Sequence, residues 1–185
     1  MPRFLTLPLF LSAIAACSQA IAAPAPAPAS LEPLMQSIEQ RLAIADQVAL
    51  SKWDSRKAVE DRPREQTVIA AAVALAPQYQ LDGAMVGQFF AAQIEANKLR
   101  QYALLSRWTL AGAAPDSPRP DLLGTIRPQL DVLQKRLLQQ LAAFAVSRAD
   151  PQCPQWLATA THKAAGDELQ RLALIRATAE LCARP

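Results

Sequence analysis

Histidine occurs once in the 185 residues, as His162. That leaves little from which to build an imidazole-based metal centre or a Ser-His-Asp relay, and no metal site is expected. His162 itself reads as an exposed helix residue. Glycine occurs five times, and nowhere in the cluster that a phosphate-cradling loop requires. Basic residues exceed acidic ones by only three, and no basic run carries interleaved aromatics, so no nucleic-acid partner is expected. No internal repeat is present. Apolar residues, by contrast, are plentiful: they make up 51 %, with many Ala and Leu, and Gln is frequent among the rest. With so little glycine, that composition supports a helical core and disfavours both disorder and an all-β fold. The length suits one domain once the ends are discounted.

The first of those ends has the form of a targeting signal. Arg3 supplies a short positive region, and residues 4–16 form an apolar run interrupted only by Thr6, Pro8 and Ser12. Ala20-Ile21-Ala22 offers the small residues that a signal peptidase reads. The run is too short to span a bilayer comfortably. This predicts a signal peptide over residues 1–22, a mature chain beginning near Ala23 and a periplasmic location. Ile14-Ala15-Ala16-Cys17 also fits a lipoprotein signal, in which Cys17 would be acylated and tie the protein to a membrane. Cys17 leaves with a signal cleaved after Ala22, or is acylated in a lipoprotein, and Cys153 and Cys182 remain, an even pair in an oxidising compartment. A bridge between them would close a loop of about 30 residues and stabilise by about 3–4 kcal/mol. The alternative is two free buried thiols. If they pair, no thiol nucleophile is left.

Residues 23–30 alternate Ala and Pro and predict an extended linker, with Ser30 as the N-cap of the first helix. From residue 31 to about 57, apolar side chains at Leu34, Ile38, Leu42, Ala45, Val48 and Ala49 recur every three or four positions, the stripe of a long helix. Asp61-Arg62-Pro63 starts a second helix, with Asp61 as N-cap. Its interior, 68–76, is apolar throughout, and its alanine content favours helix over strand. Pro77 and the region to Gly83 end it. A third helix is predicted from about 84 to 107, a Pro- and Gly-rich loop over 111–120, and a fourth helix over roughly 121–147, broken by Asp150-Pro151. Residues 155–183 read as one or two shorter helices.

The residues left to carry chemistry are cations and amides. Arg41 and Lys52 are eleven apart, three helical turns, so they share one face close to the apolar stripe. Arg64 falls in the first turn of the second helix, between Asp61 and Glu65. Asn97 and Gln101, four apart, point the same way along the third helix, and Arg127 comes after the Pro-rich loop. Taken singly, each fits an ordinary surface side chain. Together they allow a basic, amide-lined pocket.

The order of these residues resembles the exported, gamma subclass of the all-helical chorismate mutases. The matching segments are Arg41-Leu42-Ala43-Ile44-Ala45-Asp46, Val48-Ala49, Lys52-Trp53, Asp61, Arg64-Glu65, Phe89-Phe90 through Asn97-Lys98, Gln101, Arg127-Pro128, Leu130-Asp131 and the late Cys153 and Cys182. The resemblance covers the mature chain and is strongest from Arg41 to Gln101. It implies an all-α, single-domain bundle of five to six helices of the type II chorismate mutase kind. Residues 31–109 would form its core, and residues 110–185 the C-terminal helices that complete the active site and carry the disulfide.

The resemblance also implies roles. Arg41 and Arg127 would hold the enolpyruvyl carboxylate of chorismate, and Arg64, helped by Asn97, the ring carboxylate. Lys52 and Gln101 would donate to the ether oxygen, and Glu65, with Asp61 nearby, would receive the ring hydroxyl. Some relatives carry an acid where Gln101 stands, and exported relatives can lack one where Glu65 stands. No cofactor is implied, since the rearrangement of chorismate to prephenate is unimolecular. A homodimer is implied by the resemblance alone, with one chain supplying a whole site.

Two other classes fit parts of the pattern. A catalytically silent periplasmic binding protein for a small dicarboxylate would keep the arginines but has no need of Lys52 with Gln101. A helical chaperone or scaffold would need no convergent cations. Mass spectrometry of the mature protein should find an N-terminus near Ala23; an acylated Cys17 as the first residue would decide for the lipoprotein.

Overall fold

A computed structural model describes residues 25–164 and 166–183. The predicted signal peptide, residues 1–22, and Cys17 therefore lie outside the described residues. Six α-helices and no strand are found among them: α1 (Leu31–Ser55), α2 (Arg62–Leu75), α3 (Gly83–Ala111), α4 (Arg127–Phe144), α5 (Cys153–Lys163) and α6 (Glu168–Thr178). Short 3₁₀ turns come after α2 and α4, and one π-helical turn, Leu122–Ile126, leads into α4.

The stripe predicted on α1 is the face that packs. Leu34, Ile38, Leu42, Ala45 and Ala49 are all buried, and α1 ends where Arg56 turns left-handed at φ 55°. Ser30 stands at the start of α1 but makes no side-chain cap, contrary to the expectation from sequence. The reason is local: its backbone is already helical rather than extended, and Pro33, at the third helical position, has no N–H to give its side chain. The linker is also more than a spacer. Trp156 Nε1 donates to Ala25 C=O at 2.9 Å and seats it on α5.

Asp61 caps α2 as expected, accepting from Arg64 N–H at 3.2 Å, while Glu65 Oε1 accepts from Asp61 N–H at 3.1 Å. This reciprocal pair is a capping box displaced by one residue. Asp82 caps α3 in the same manner, from Met85 N–H at 2.8 Å. The third helix runs one turn past the predicted end, to Ala111. Trp108 in that turn is buried with Ala49, Leu50 and Leu104 and meets Trp53 edge-on at 6.0 Å. Gly112, at φ 77°, then closes the helix in a conformation that other residues resist.

α3 lies at the centre, packed against α1, α2 and α6, and α4 lies on α1. The main core gathers Leu34, Ile38 and Leu42 of α1, the edge-to-face pair Phe89 and Phe90 of α3, and Leu137, Leu138, Leu141 and Phe144 of α4. Each fully buried leucine or phenylalanine contributes about 1.5–3 kcal/mol. Gln93, inside this core, donates to Ala177 C=O at 2.8 Å and fixes α6 on α3. Arg100 fastens α3 to α1 through both oxygens of Asp46, at 2.5 and 2.9 Å, and reaches Gln170 of α6.

The C-terminal region forms two helices joined by the Cys153–Cys182 disulfide, 29 residues apart in sequence and 5.8 Å between Cα atoms. Beside it the Arg148 guanidinium donates to the carbonyls of Leu181 and Glu180, and Ala183 N–H returns to Arg148 C=O. His162 is exposed in the last turn of α5. No helix among the described residues is long and apolar enough to cross a membrane. Replacing both Cys153 and Cys182 by alanine should leave the helical content unchanged and lower the unfolding free energy by about 3–4 kcal/mol. An unaltered denaturant midpoint would show that the bridge constrains nothing.

Candidate active site

A cavity of about 150 Å³ opens where α1, α2, α3 and α4 meet, and all eight sequence-predicted site residues line it. α1 contributes Arg41 and Lys52, on the shared face that their spacing required. The start of α2 contributes Asp61, Arg64 and Glu65; α3 contributes Asn97 and Gln101; α4 contributes Arg127. A single chain supplies them all. The capping box fixes where α2 begins and so places Arg64 in its first turn.

Between the polar groups the wall is apolar: Val48, Val59, Val68, Ile94, Leu122 and Leu130. Such walls displace water and strengthen electrostatic interactions inside. The π-helical turn adds Leu122 to the wall and hands the chain directly to Arg127, the first residue of α4.

Arg41 is the most enclosed of the cations, at 6 % exposure, and its Nε has no hydrogen-bond partner. Burial pushes its pKa down to about 10, against the attraction of Asp131, and at neutral pH it stays charged. Asn97 Nδ2 donates to the backbone C=O of Arg41 at 3.4 Å, and Asn97 Oδ1 accepts from Gln101 Nε2 at 2.6 Å. These two bonds fix the sense of both amides. Gln101 is left with a second N–H, and its buried Oε1 has no partner.

Several cations are paired: Arg100 with Asp46, Arg119 with Asp54, Arg171 with Glu168, and, in the cavity wall, Lys98 with Glu65 and Glu95. The other four cations of the cavity are not. Among the described residues no carboxylate lies within ion-pair distance of Arg41, Lys52, Arg64 or Arg127. Four unpaired cations around one partly apolar cavity are complementary to an anion of more than one charge.

Sequence reasoning missed Lys98, Asp131 and Gln134, which also line the cavity. The signal was available. Lys98 is four residues after Ile94 and three before Gln101, and Asp131 and Gln134 are four and seven after Arg127, all helical spacings onto one face.

Comparison with known proteins gives the family and the fold. Residues 32–102 match the family model Chorismate mutase type II. The chain is 30 % identical to the secreted chorismate mutase of Mycobacterium tuberculosis over 82 % of its own length and 78 % of that protein. It is 37 % identical to the secreted chorismate mutase of Mycolicibacterium smegmatis over 60 % of its length, spanning 61 % of that relative. The crystal structure of the chorismate mutase from Burkholderia phymatum superposes with a TM-score of 0.81 at 43 % identity, covering 84 % of this chain and 97 % of that one. The chain belongs to the chorismate mutase family, with the all-helical type II fold.

A buried charge with an unsatisfied donor costs stability, and a hydrophobe of similar volume relieves it. Arg41→Met should therefore raise the melting temperature of the ligand-free protein by about 2–8 °C, the size of 1–2 kcal/mol in a domain of this length. Calorimetry checks this; a lower melting temperature would show that the guanidinium is held by more than the cavity offers.

Proposed function

We propose that the cavity binds chorismate and rearranges it to prephenate. The observation that carries the reading is the set of four unpaired cations, Arg41, Lys52, Arg64 and Arg127, beside the oriented amides of Asn97 and Gln101. In this reading Arg41 and Arg127 hold the enolpyruvyl carboxylate, and Arg64 with Asn97 the ring carboxylate. Guanidinium forks match carboxylates two bonds at a time, so the flexible ether chain is held in the chair-like geometry from which it reacts. Glu65, with Asp61 beside it, receives the ring hydroxyl.

The reaction is internal to the substrate. The ether C–O bond breaks as a C–C bond forms to the ring, and no atom, proton or electron is exchanged with the protein. What changes is charge: it grows on the ether oxygen in the transition state. Lys52 and the free N–H of Gln101 meet it with donors already in place, in a site whose apolar walls keep the interaction strong. The relatives named secreted support export of this chain as well, and the leader sequence supports the periplasm as its destination. A homodimer is part of the proposal on family resemblance alone.

Purified mature protein should consume the conjugated-diene absorbance of chorismate. Binding without loss of that absorbance would make it a dicarboxylate-binding protein instead. Gln101→Glu separates the mechanism from mere occupancy. A carboxyl donates a hydrogen bond only when protonated, and its ordinary pKa near 4.3 puts that form in acid. The wild-type rate should be flat across neutral pH. The variant should lose about 10²–10³ in rate at pH 8 and regain part of it as pH falls. A variant as active as wild type at pH 8 would remove Gln101 from the mechanism.

A further inference from the structure

The cavity poses an electrostatic difficulty: its wall carries carboxylates, yet the substrate it suits is a dianion. Glu65 is the more enclosed of the acids near the start of α2, its side chain 20 % exposed. Its two oxygens are already engaged, Oε1 by Asp61 N–H at 3.1 Å and Oε2 by Lys98 Nζ at 3.3 Å. Lys98 is itself a cavity residue with a side chain only 13 % exposed, and it also meets Glu95 at 3.0 Å and Glu60 at 3.8 Å. One ammonium thus gathers three carboxylates at the rim, from α2, α3 and the segment that leads into α2.

We propose that Lys98 is a positioning residue that holds Glu65 in a fixed, charge-compensated pose, so that a dianionic substrate can enter a cavity with an acid in its wall. The inference rests on the chorismate reading. Lys98 is fully occupied by carboxylates, so it differs from Arg41, Lys52, Arg64 and Arg127, which are free to meet the substrate. Burial alone would lower the Lys98 pKa, but the hydrogen bonds to Glu95 and Glu65 outweigh it and the net direction is upward. Its charge therefore persists across the working range.

The charged groups about this point are Lys98 and Glu95 on α3, Glu60 with its own partner Arg62 at 3.1 Å, Asp61, Arg64 and Glu65 at the head of α2, Lys52 and Arg41 on α1, and Arg127 and Asp131 on α4. Removing the Lys98 charge leaves Glu65 near Glu60 and Glu95 without the cation it pairs with, and Arg62 offsets Glu60 only. Like charges raise a carboxyl pKa. At neutral pH the bare carboxylate repels the substrate, and as pH falls it takes up a proton and the repulsion fades. The defect should therefore appear in KM rather than kcat, since Glu65 is assigned to the ring hydroxyl and not to the ether oxygen.

The test compares Lys98→Met, Lys98→Gln and Lys98→Arg, each alone and in a Glu65→Gln background, by chorismate turnover from pH 8 to pH 5.5. Lys98→Met and Lys98→Gln should raise KM about tenfold at pH 8, the size of one charge-assisted hydrogen bond, and change kcat less than about twofold. The rise should shrink as pH falls, vanish largely in the Glu65→Gln background, and be rescued by Lys98→Arg. Wild-type KM in both charge-removing variants would overturn the inference. So would a rise that persists undiminished without Glu65, because Lys98 would then be touching substrate directly. Equal loss in Lys98→Arg, with a lowered melting temperature, would reduce Lys98 to a structural brace. Wild-type protein that leaves chorismate unchanged would remove the chorismate reading itself, a failure distinct from these.

Discussion

Four positive side chains do not converge on one small cavity of their own accord. Arg41, Lys52, Arg64 and Arg127 repel one another, and burial penalises Arg41 further. The carboxylates of the wall, Asp131 beside Arg41 among them, offset part of that repulsion; whatever meets the rest must come from outside the cavity. It comes from the core: the leucines of α1 and α4, the phenylalanine pair of α3, and the polar ties Gln93 to Ala177 and Arg100 to Asp46. The ligand-free protein is thus a scaffold under electrostatic load, and the dianion of the proposed function would relieve that load. This is preorganisation in a measurable form, since the stability of the fold and the affinity of the site draw on the same unpaired charges.

The parts of the fold legible in sequence were those with a strong local cause. The α1 stripe, the Asp61 cap and the Asp150-Pro151 break each arise from a few adjacent residues. The eight site residues came from helical spacing read together with the family resemblance; spacing alone did not separate them from surface side chains. The misses have causes that a local pattern does not carry. Ser30 looks like a cap until its backbone is seen to be already helical, with no helix N–H bonded to its side chain. The last turn of α3 depends on Trp108 meeting Trp53, more than fifty residues away in sequence. Lys98 was concealed by its own surroundings: a lysine near Glu95 reads as a solvated pair, and only the packing of α2 on α3 brings Glu65 to it.

The head of α2 shows how one local device serves two ends. Asp61 and Glu65 satisfy backbone donors that any helix start leaves open, and the same two side chains face the cavity. Their carboxylates are needed by the fold whether or not a substrate is present. The cations around them then set the electrostatic sign of the pocket, and Lys98 offsets the acid that folding requires there.

Optically, the molecule carries its own reporters. Its three tryptophans sit at two joints. Trp53 and Trp108 form an edge-to-face pair where the far ends of α1 and α3 meet, and Trp156 holds the linker at Ala25 against α5. Emission from the first joint tracks the two long helices that carry Arg41, Lys52, Asn97 and Gln101, while emission from the second tracks the seating of the chain at Ala25. Removing Trp156 leaves a protein whose intrinsic fluorescence speaks for the active-site helices alone, with no dye attached.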